Sequence, residues 1–590
     1  MGDYLLVCRL TDAPRATAAA STLRSAAIAA GLSLAGLNPA AGIGLSGASP
    51  PRVRDVGGWT LVGDVFDRRR PVFPRHDDSA WAYERKMLAR LWGRYVGVRF
   101  DGRGRPDAVL RDPSGALDCV AWSQDDLLII ASSAPDWLIA CARPGWRINT
   151  DRVAAALRSP QLAAGALLLD GPVAVAPGAL QPLPLDRSAV SLWAATDFAR
   201  DSLDPRQAVD PAADRLRSAL EEVVEALAGL PGPLAAEMSG GLDSSLVAAC
   251  LVASPALDIR LWLNAYGVTP ESDEARWVTP LSQHLGVTPL RVPHRTAPLS
   301  AALYQSVNGG FRPGLAALDT AHDLEWVRQL QAAGARALMT GKGGDSVLMQ
   351  GAGGDVFSDL RFSQGWSTLL SRRARAIAMA SEKSLWTLAA EARRARRGVA
   401  AAPERDDGLL PPDLEGAALA QWRRRCAEFG PAKAMQITGV TDNISRHGPS
   451  RLTEAIDVRH PLCAQPVVET CLATPSAILA LDGRDRGLAR YAFRDRLPSE
   501  ILERRSKGDM SRLYGKLILD NLDFLRPWLI QGRLADLEVI DPEAADRLLR
   551  RDSLIWRGRY AAILAAAAYE GWVRTWEGRL SSQGPMRRQG

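Results

Sequence analysis

The sequence predicts an α/β protein with a β-rich N-terminal domain, and three observations carry that expectation. Between residues 58 and 140 the apolar residues gather into short runs, WTLVGDVF, YVGVRF, DAVLRD and DLLIIASS, parted by the turn signals DGRG and DPSG. From residue 233, strand-length apolar runs alternate with helical ones, the pattern of a parallel sheet covered by helices. From about residue 355 the pattern becomes mostly helical.

In chain order, LLVCRL is followed by a stretch rich in Ala, Gly and Ser up to about residue 50. Within it GIGLSG (42–47) spells G-x-G-x-x-G, but NPAA precedes it and ASPPR follows, so no strand feeds it and no helix opens from it. Residues 160–200 read as edge strands and linker, with prolines in DGPVAVAPGALQPLPL. A helix is expected after Pro211, through ADRLRSALEEVVEALAGL, ending at Pro231-Gly232-Pro233. Then come strand PLAAEM, helix SLVAACLVA, strand IRLWLNAY, helix EARWVTPLSQHLG, strand TPLRVPH, helix LEWVRQLQAAG and strand ARALMTG. GVAAAPERDDGLLPPDLEG (398–416) reads as a mobile loop.

Composition narrows the function classes. At 590 residues the chain is long enough for two or more domains, with 47% hydrophobic and 23% charged residues, as in globular proteins. A net charge of +6 is mild for this length and argues against a nucleic-acid partner; the basic clusters at 371–375 and 391–397 read as solvated helix faces. No run of about 18 apolar residues occurs, so no membrane span is expected. MGDYLLVCRL lacks the charged and apolar regions of a secretory signal. Seven scattered cysteines without a C-x-x-C pair read as reduced thiols, and together these features point to the cytoplasm.

The chemistry concentrates in EMSGGLDSSLVAA (237–249), a glycine turn between strand PLAAEM and an alanine-rich helix. A strand feeding a helix N-terminus aims free N–H groups and the positive end of the helix dipole at one point. Gly240 and Gly241 let the backbone curl around an anion, and Ser239, Ser244 and Ser245 add hydroxyls, which makes a phosphate cradle. Asp243 would repel phosphate unless Mg²⁺ lies between them, and one carboxylate rarely holds that ion alone. TGKGGDS (340–346) supplies a second, Asp345, in another glycine turn after a strand, with Gly341 beside it. Carboxyl ends of neighbouring parallel strands face one crevice, so the two aspartates can share it.

These residues resemble the asparagine-synthetase-type ATP pyrophosphatases, whose hallmark is SGG-x-DSS. The resemblance implies that Asp243 and Asp345 hold Mg²⁺ against ATP. It also implies that Arg486, in RDRGLARYAFRDRLPSEILERRSKGD (484–509), contacts pyrophosphate, with Arg490 as the helical arginine. Lys507 takes the place of the lysine that stabilises charge as an acyl-adenylate forms and collapses. TEAIDVRHPLCAQPVVE (453–469) resembles the family's E-x-R-x-P-F-L-D stretch, with Asp457 for Glu. Residues 95–138 are similar to the glutaminase half of these proteins. The implied organisation is an Ntn-hydrolase-like α+β sandwich over 1–200, then a PP-loop ATP-pyrophosphatase domain over 201–590. That glutaminase works through a cysteine directly after Met1; here Gly2 stands there, and Cys8 lies too deep in the strand, so a degenerate glutaminase is expected.

Without ammonia made on site, the simplest attacking amine is one on the substrate itself, closing a ring. Two ring-forming branches are similar, β-lactam synthetases and lasso peptide cyclases. LRDPSGALDC, VNGGFRPG (307–314), RRSKGDMS and the basic helical insertion at 370–425 resemble the cyclases, and Lys342 stands where the β-lactam branch has tyrosine. The resemblance implies adenylation of an Asp or Glu side chain of a precursor peptide and attack by the peptide's N-terminal amine. ATP and Mg²⁺ are the implied cofactors, and a leader-peptide-binding protein and a leader protease the implied partners. The alternatives are an asparagine or β-lactam synthetase acting on a small molecule, and a catalytically silent peptide-binding scaffold.

Overall fold

The computed structural model describes residues 2–47, 49–71, 80–158, 167–204, 206–254, 257–267, 273–315, 317–351, 353–397, 409, 424–445, 450–505, 511–557 and 560–581. The expected loop at 398–416 lies outside these residues, apart from Leu409.

The N-terminal third is built on two six-stranded antiparallel sheets. In spatial order the first holds Val173–Ala174, Val120–Gln124, Leu127–Ala131, Tyr4–Arg9, Ala41–Leu45 and Ser33–Asn38. The second holds Val190–Ser191, Ala179–Pro182, Pro106–Arg111, Leu91–Phe100, Trp59–Asp67 and Val53–Val56. Alternate residues of each strand point to opposite faces. Leu6, Cys8, Ile43 and Ile130 of the first sheet therefore pack on Val62, Val96, Val98 and Val109 of the second. Outward, Leu5, Val120 and Ile129 are covered by Leu23 and Ala27 of helix Pro14–Ala29 and by Leu138 and Ile139 of helix Asp136–Ala142. Trp59, Leu61 and Tyr95 are covered by Met87 and Leu88 of helix Ala82–Arg90. Burial on both faces explains why LLVC and LLII run apolar without alternation. The small-residue stretch before residue 50, which shows little periodicity, folds as a helix and a hairpin, and GIGLSG lies largely in its Ala41–Leu45 strand.

Helix Val209–Ala228 leads into the second half. It begins at Val209 and not after Pro211 as expected, with Pro211 in its first turn, where a missing N–H costs nothing. Leu216, Leu220, Val223, Val224 and Leu227 form its buried stripe. The sheet that follows is wholly parallel, in the order Leu290–Pro293, Ile259–Tyr266, Leu234–Glu237, Ala337–Met339, Asp457–Arg459. The chain starts on the central strand, builds outward on one side, then crosses to the other. The order therefore reverses between Leu234–Glu237 and Ala337–Met339, the position where open α/β sheets leave a crevice. The fifth strand has no sequence signal. It is three residues long with charged ends, and only its pairing with Ala337–Met339 makes it a strand.

Buried charge joins the halves. Arg94, from the second antiparallel sheet, donates through Nη1 to Asp457 Oδ1 at 2.8 Å and also contacts Asp64, while Arg459 Nε donates to Asp457 Oδ2 at 2.8 Å. Arg68 meets Glu469 Oε2 at 2.6 Å, and Trp193 Nε1 donates to Glu469 Oε1 at 2.8 Å. Helix Tyr560–Ser581 returns to the N-terminal part, where Trp576 packs against Trp146 with ring centroids 5.9 Å apart. All seven cysteines are free, and among the described residues no helix is long and apolar enough to cross a membrane.

Burial, the largest single influence, opposes ionisation of Asp457, but the positive charges around it, Arg94 and Arg459 among them, together hold the carboxyl well below the usual range. Its stabilising contribution is thus present above the ordinary carboxylate pKa and is lost only as pH falls through the depressed folded value. Asp457→Ala leaves two buried guanidinium groups without their shared carboxylate. The expected cost is about 3–5 kcal/mol, read as a lower denaturant midpoint at pH 7.

Candidate active site

The cradle forms where strand Leu234–Glu237 turns into helix Leu242–Val252. Gly240 adopts φ +71°, and a Cβ there would lie 2.9 Å from Trp277 Cβ, so the turn needs glycine on both counts. Ser239 Oγ and Ser244 Oγ share a hydrogen bond of 2.8 Å, and Gly241 N donates to Ser239 Oγ at 3.3 Å. Ser245 is fully buried and donates to the Gly241 carbonyl at 2.7 Å, which ties the first helical turn to the loop. In this structure the hydroxyls of Ser244 and Ser245 therefore brace the cradle from within. The N-cap, Gly241, offers no side-chain oxygen to the first N–H groups of the helix.

The second loop packs directly on the first. A Cβ on Gly341 would lie 2.4 Å from Ser244 N, and one on Gly344 would lie 2.3 Å from Asp243 Cγ. These glycines set how closely the carboxylates approach. Thr340 Oγ1 shares a hydrogen bond of 2.7 Å with His460 Nδ1 and accepts from Lys342 N at 3.2 Å, which fixes the loop to the strand ends.

Arg486 brings the sites together. Its Nη1 donates to Asp243 Oδ2 at 2.8 Å and to Asp345 Oδ1 at 2.7 Å, while Nη2 donates to Asp485 Oδ2 at 2.7 Å. Arg490 sits behind it, donating from Nη1 to the carbonyls of Ile501 and Leu502 at 2.9 and 2.8 Å. Arg504, not singled out from the sequence, donates to the Gly240 carbonyl at 2.8 Å and lies over the Trp277 ring. Its only sequence signal is membership of the basic ERRSKGD run. Lys507, in that same run, lies outside the described residues.

Two carboxylates from separate strand ends thus converge on one positive charge. That donor set fits Mg²⁺, a hard cation held by one or two carboxylates and completed by water and phosphate oxygens. Asp243 and Asp345 would hold it, and when bound it would neutralise phosphate charge.

Beside the loops lies a cavity of about 1250 Å³ between the two halves. Asp118, Phe311, Arg312, Lys342, His460 and Arg579 are among the residues lining it. Lys342 belongs both to this wall and to the loop carrying Asp345.

A parallel sheet with a glycine cradle and paired carboxylates at its switch point defines a nucleotide-dependent α/β enzyme. The sequence pattern of the asparagine synthase family matches residues 215–574, more than half of the chain, and the protein belongs to that family. Its members are ATP-dependent carbon–nitrogen ligases that generate AMP, generally with Mg²⁺, and membership carries an amidotransferase or ligase-type activity. No curated protein matches the sequence.

Gly344→Ala is expected to push Asp243 away from Asp345 without disturbing the sheet. ATP-dependent activity should fall about 10²-fold, the scale of a 1 Å misplacement, with the far-ultraviolet circular dichroism unchanged.

Proposed function

We propose that the protein is a lasso-peptide-type macrolactam synthetase. It adenylates an Asp or Glu side chain of a precursor peptide and releases pyrophosphate. The peptide's own N-terminal amine then attacks, forming an isopeptide-bonded ring and freeing AMP.

The observation that carries the proposal is the cavity. At about 1250 Å³ it exceeds the 300–1,000 Å³ typical of small-ligand pockets, and it ends on the loop that carries Asp345. A folded peptide segment fits such a space, and holding amine and carboxyl together there makes the attack effectively unimolecular.

The N-terminal region, residues 1–200, is read as an Ntn-hydrolase-like glutaminase that has lost its chemistry. A Cβ on Gly2 would lie 1.8 Å from the Ser46 carbonyl oxygen, so a nucleophilic side chain has no room there. Burial pushes the thiols of Cys8 and Cys119 up to about 12, leaving both inert. The amine then comes from the substrate.

In residues 201–590, Ser239, Gly240, Gly241, Ser244, Ser245 and Gly341 shape the phosphate site, and Asp243 and Asp345 are the metal carboxylates. Arg486 and Lys507 stabilise charge on the departing pyrophosphate and adenylate. A leader-peptide-binding protein and a leader protease would present the substrate.

ATP–pyrophosphate exchange tests the reading. Exchange should depend on a linear peptide with a free N-terminal glycine and a downstream acidic side chain. Exchange with free amino acids instead would indicate a small-molecule synthetase, and no exchange at all a scaffold. Asp243→Ala and Asp345→Ala should each abolish pyrophosphate release in a folded protein, and added glutamine should leave the rate unchanged.

A further inference from the structure

The cavity wall around Lys342 holds a carboxylate that the nucleotide site does not use. Asp319 ends a short 3₁₀ turn, Ala317–Asp319, just ahead of helix Thr320–Ala332. Its Oδ1 is buried and accepts no hydrogen bond among the described residues, yet the side chain is 35% exposed and lines the cavity. The exposed part of the side chain therefore lies on the cavity wall.

Its nearest basic neighbour on the buried side is His294, whose Nε2 lies 3.7 Å from Oδ1. His294 stacks on His322 with ring centroids 4.2 Å apart. Burial lowers the pKa of His294, and burial, with the neighbouring His294 ring, takes His322 down to about 3. Both rings are accordingly neutral at pH 7 and leave the charge of Asp319 uncompensated on that side. The other charged and titratable groups acting with it are Lys342, Asp323 and Tyr514.

Several other carboxylates on the cavity wall already have donors: Asp3 Oδ1 accepts from Ser132 Oγ at 2.8 Å, and Asp323 Oδ2 from Leu452 N at 3.3 Å. Asp118 is clamped by Arg111 and Arg312, each at 3.1 Å. Asp136 is paired with Arg579, and Glu454 with Arg451 at 2.8 Å.

We infer that Asp319 is the proton acceptor of the amide-forming step, an assignment that rests on the adenylation reading above. The amine nitrogen forms its bond to the carbonyl carbon of the acyl-adenylate. The carbon–oxygen bond to the phosphate breaks, AMP leaves with that electron pair, and the proton lost from nitrogen passes to the carboxylate of Asp319. Lys342, in the loop that carries Asp345, lines the same cavity and acts electrostatically on this carboxylate, which links the acceptor to the nucleotide loop. Burial raises the Asp319 pKa and Lys342 opposes the rise, leaving it at about 6. A group titrating there is mostly ionised at pH 7 and still basic enough to take a proton, the balance general-base catalysis requires.

The test is Asp319→Asn in the full-length chain, with the linear peptide described above as probe. Exchange of pyrophosphate should stay within about twofold of the parent, while amide formation in a single turnover falls by about 10²–10⁴-fold. The residual rate should lose the rise with pH centred near 6, and Asp319→Glu should restore part of it. The melting temperature at pH 7 should not fall, because a carboxyl with a raised folded pKa weakens the fold as pH climbs through its titration, and asparagine removes that effect. Parallel loss of exchange and amide formation, or unchanged amide formation, overturns the assignment while the adenylation reading stands. Absence of exchange in the parent protein overturns both.

Discussion

Two carboxylates drawn to one point are the constraint around which the synthetase half is arranged. Like charges at 4 Å repel by about 4 kcal/mol near a protein surface, so Asp243 and Asp345 can meet only if a cation meets them. The reversal of strand order supplies the meeting place, and glycines at 341 and 344 allow the approach. Arg486 supplies the charge, from a backbone in the left-handed region at φ +52° whose N–H is held by the Met349 carbonyl at 3.0 Å. Asp485 and Arg490 steady it from behind.

The same logic operates between the halves. Arg94, Asp457 and Arg459 form a buried chain of alternating charge, and Arg68 with Glu469 forms a second. Buried ion pairs are poor sources of net stability but strict about register. These pairs orient the antiparallel sheets against the edge of the parallel one, and the cavity lies in the space left between them. The N-terminal sheets therefore line the cavity as a wall, with the thiols of Cys8 and Cys119 buried.

Much of the fold was legible in the sequence because its signals are local. Turn glycines and prolines, apolar runs and a period of 3.6 residues mark the strand–helix alternation from 234 to 339 and the short β runs from 58 to 140. What escaped was weak in just those signals. The strand Asp457–Arg459 is short and charged, the Pro14–Ala29 helix is alanine-rich with little amphipathic contrast, and Asp319 sits in an unremarkable turn.

The sequence by itself determined the two glycine turns, the carboxylate each carries and the strands that deliver them, since backbone conformation there follows from neighbouring residues. It also determined that the residue after Met1 is not a cysteine. Only the tertiary structure decided that one guanidinium joins Asp243 to Asp345, that Arg504 pins Gly240, and that Asp319 and Lys342 line one cavity. Those contacts unite segments far apart in the chain, and their partners are selected by packing and charge balance, which no local pattern encodes.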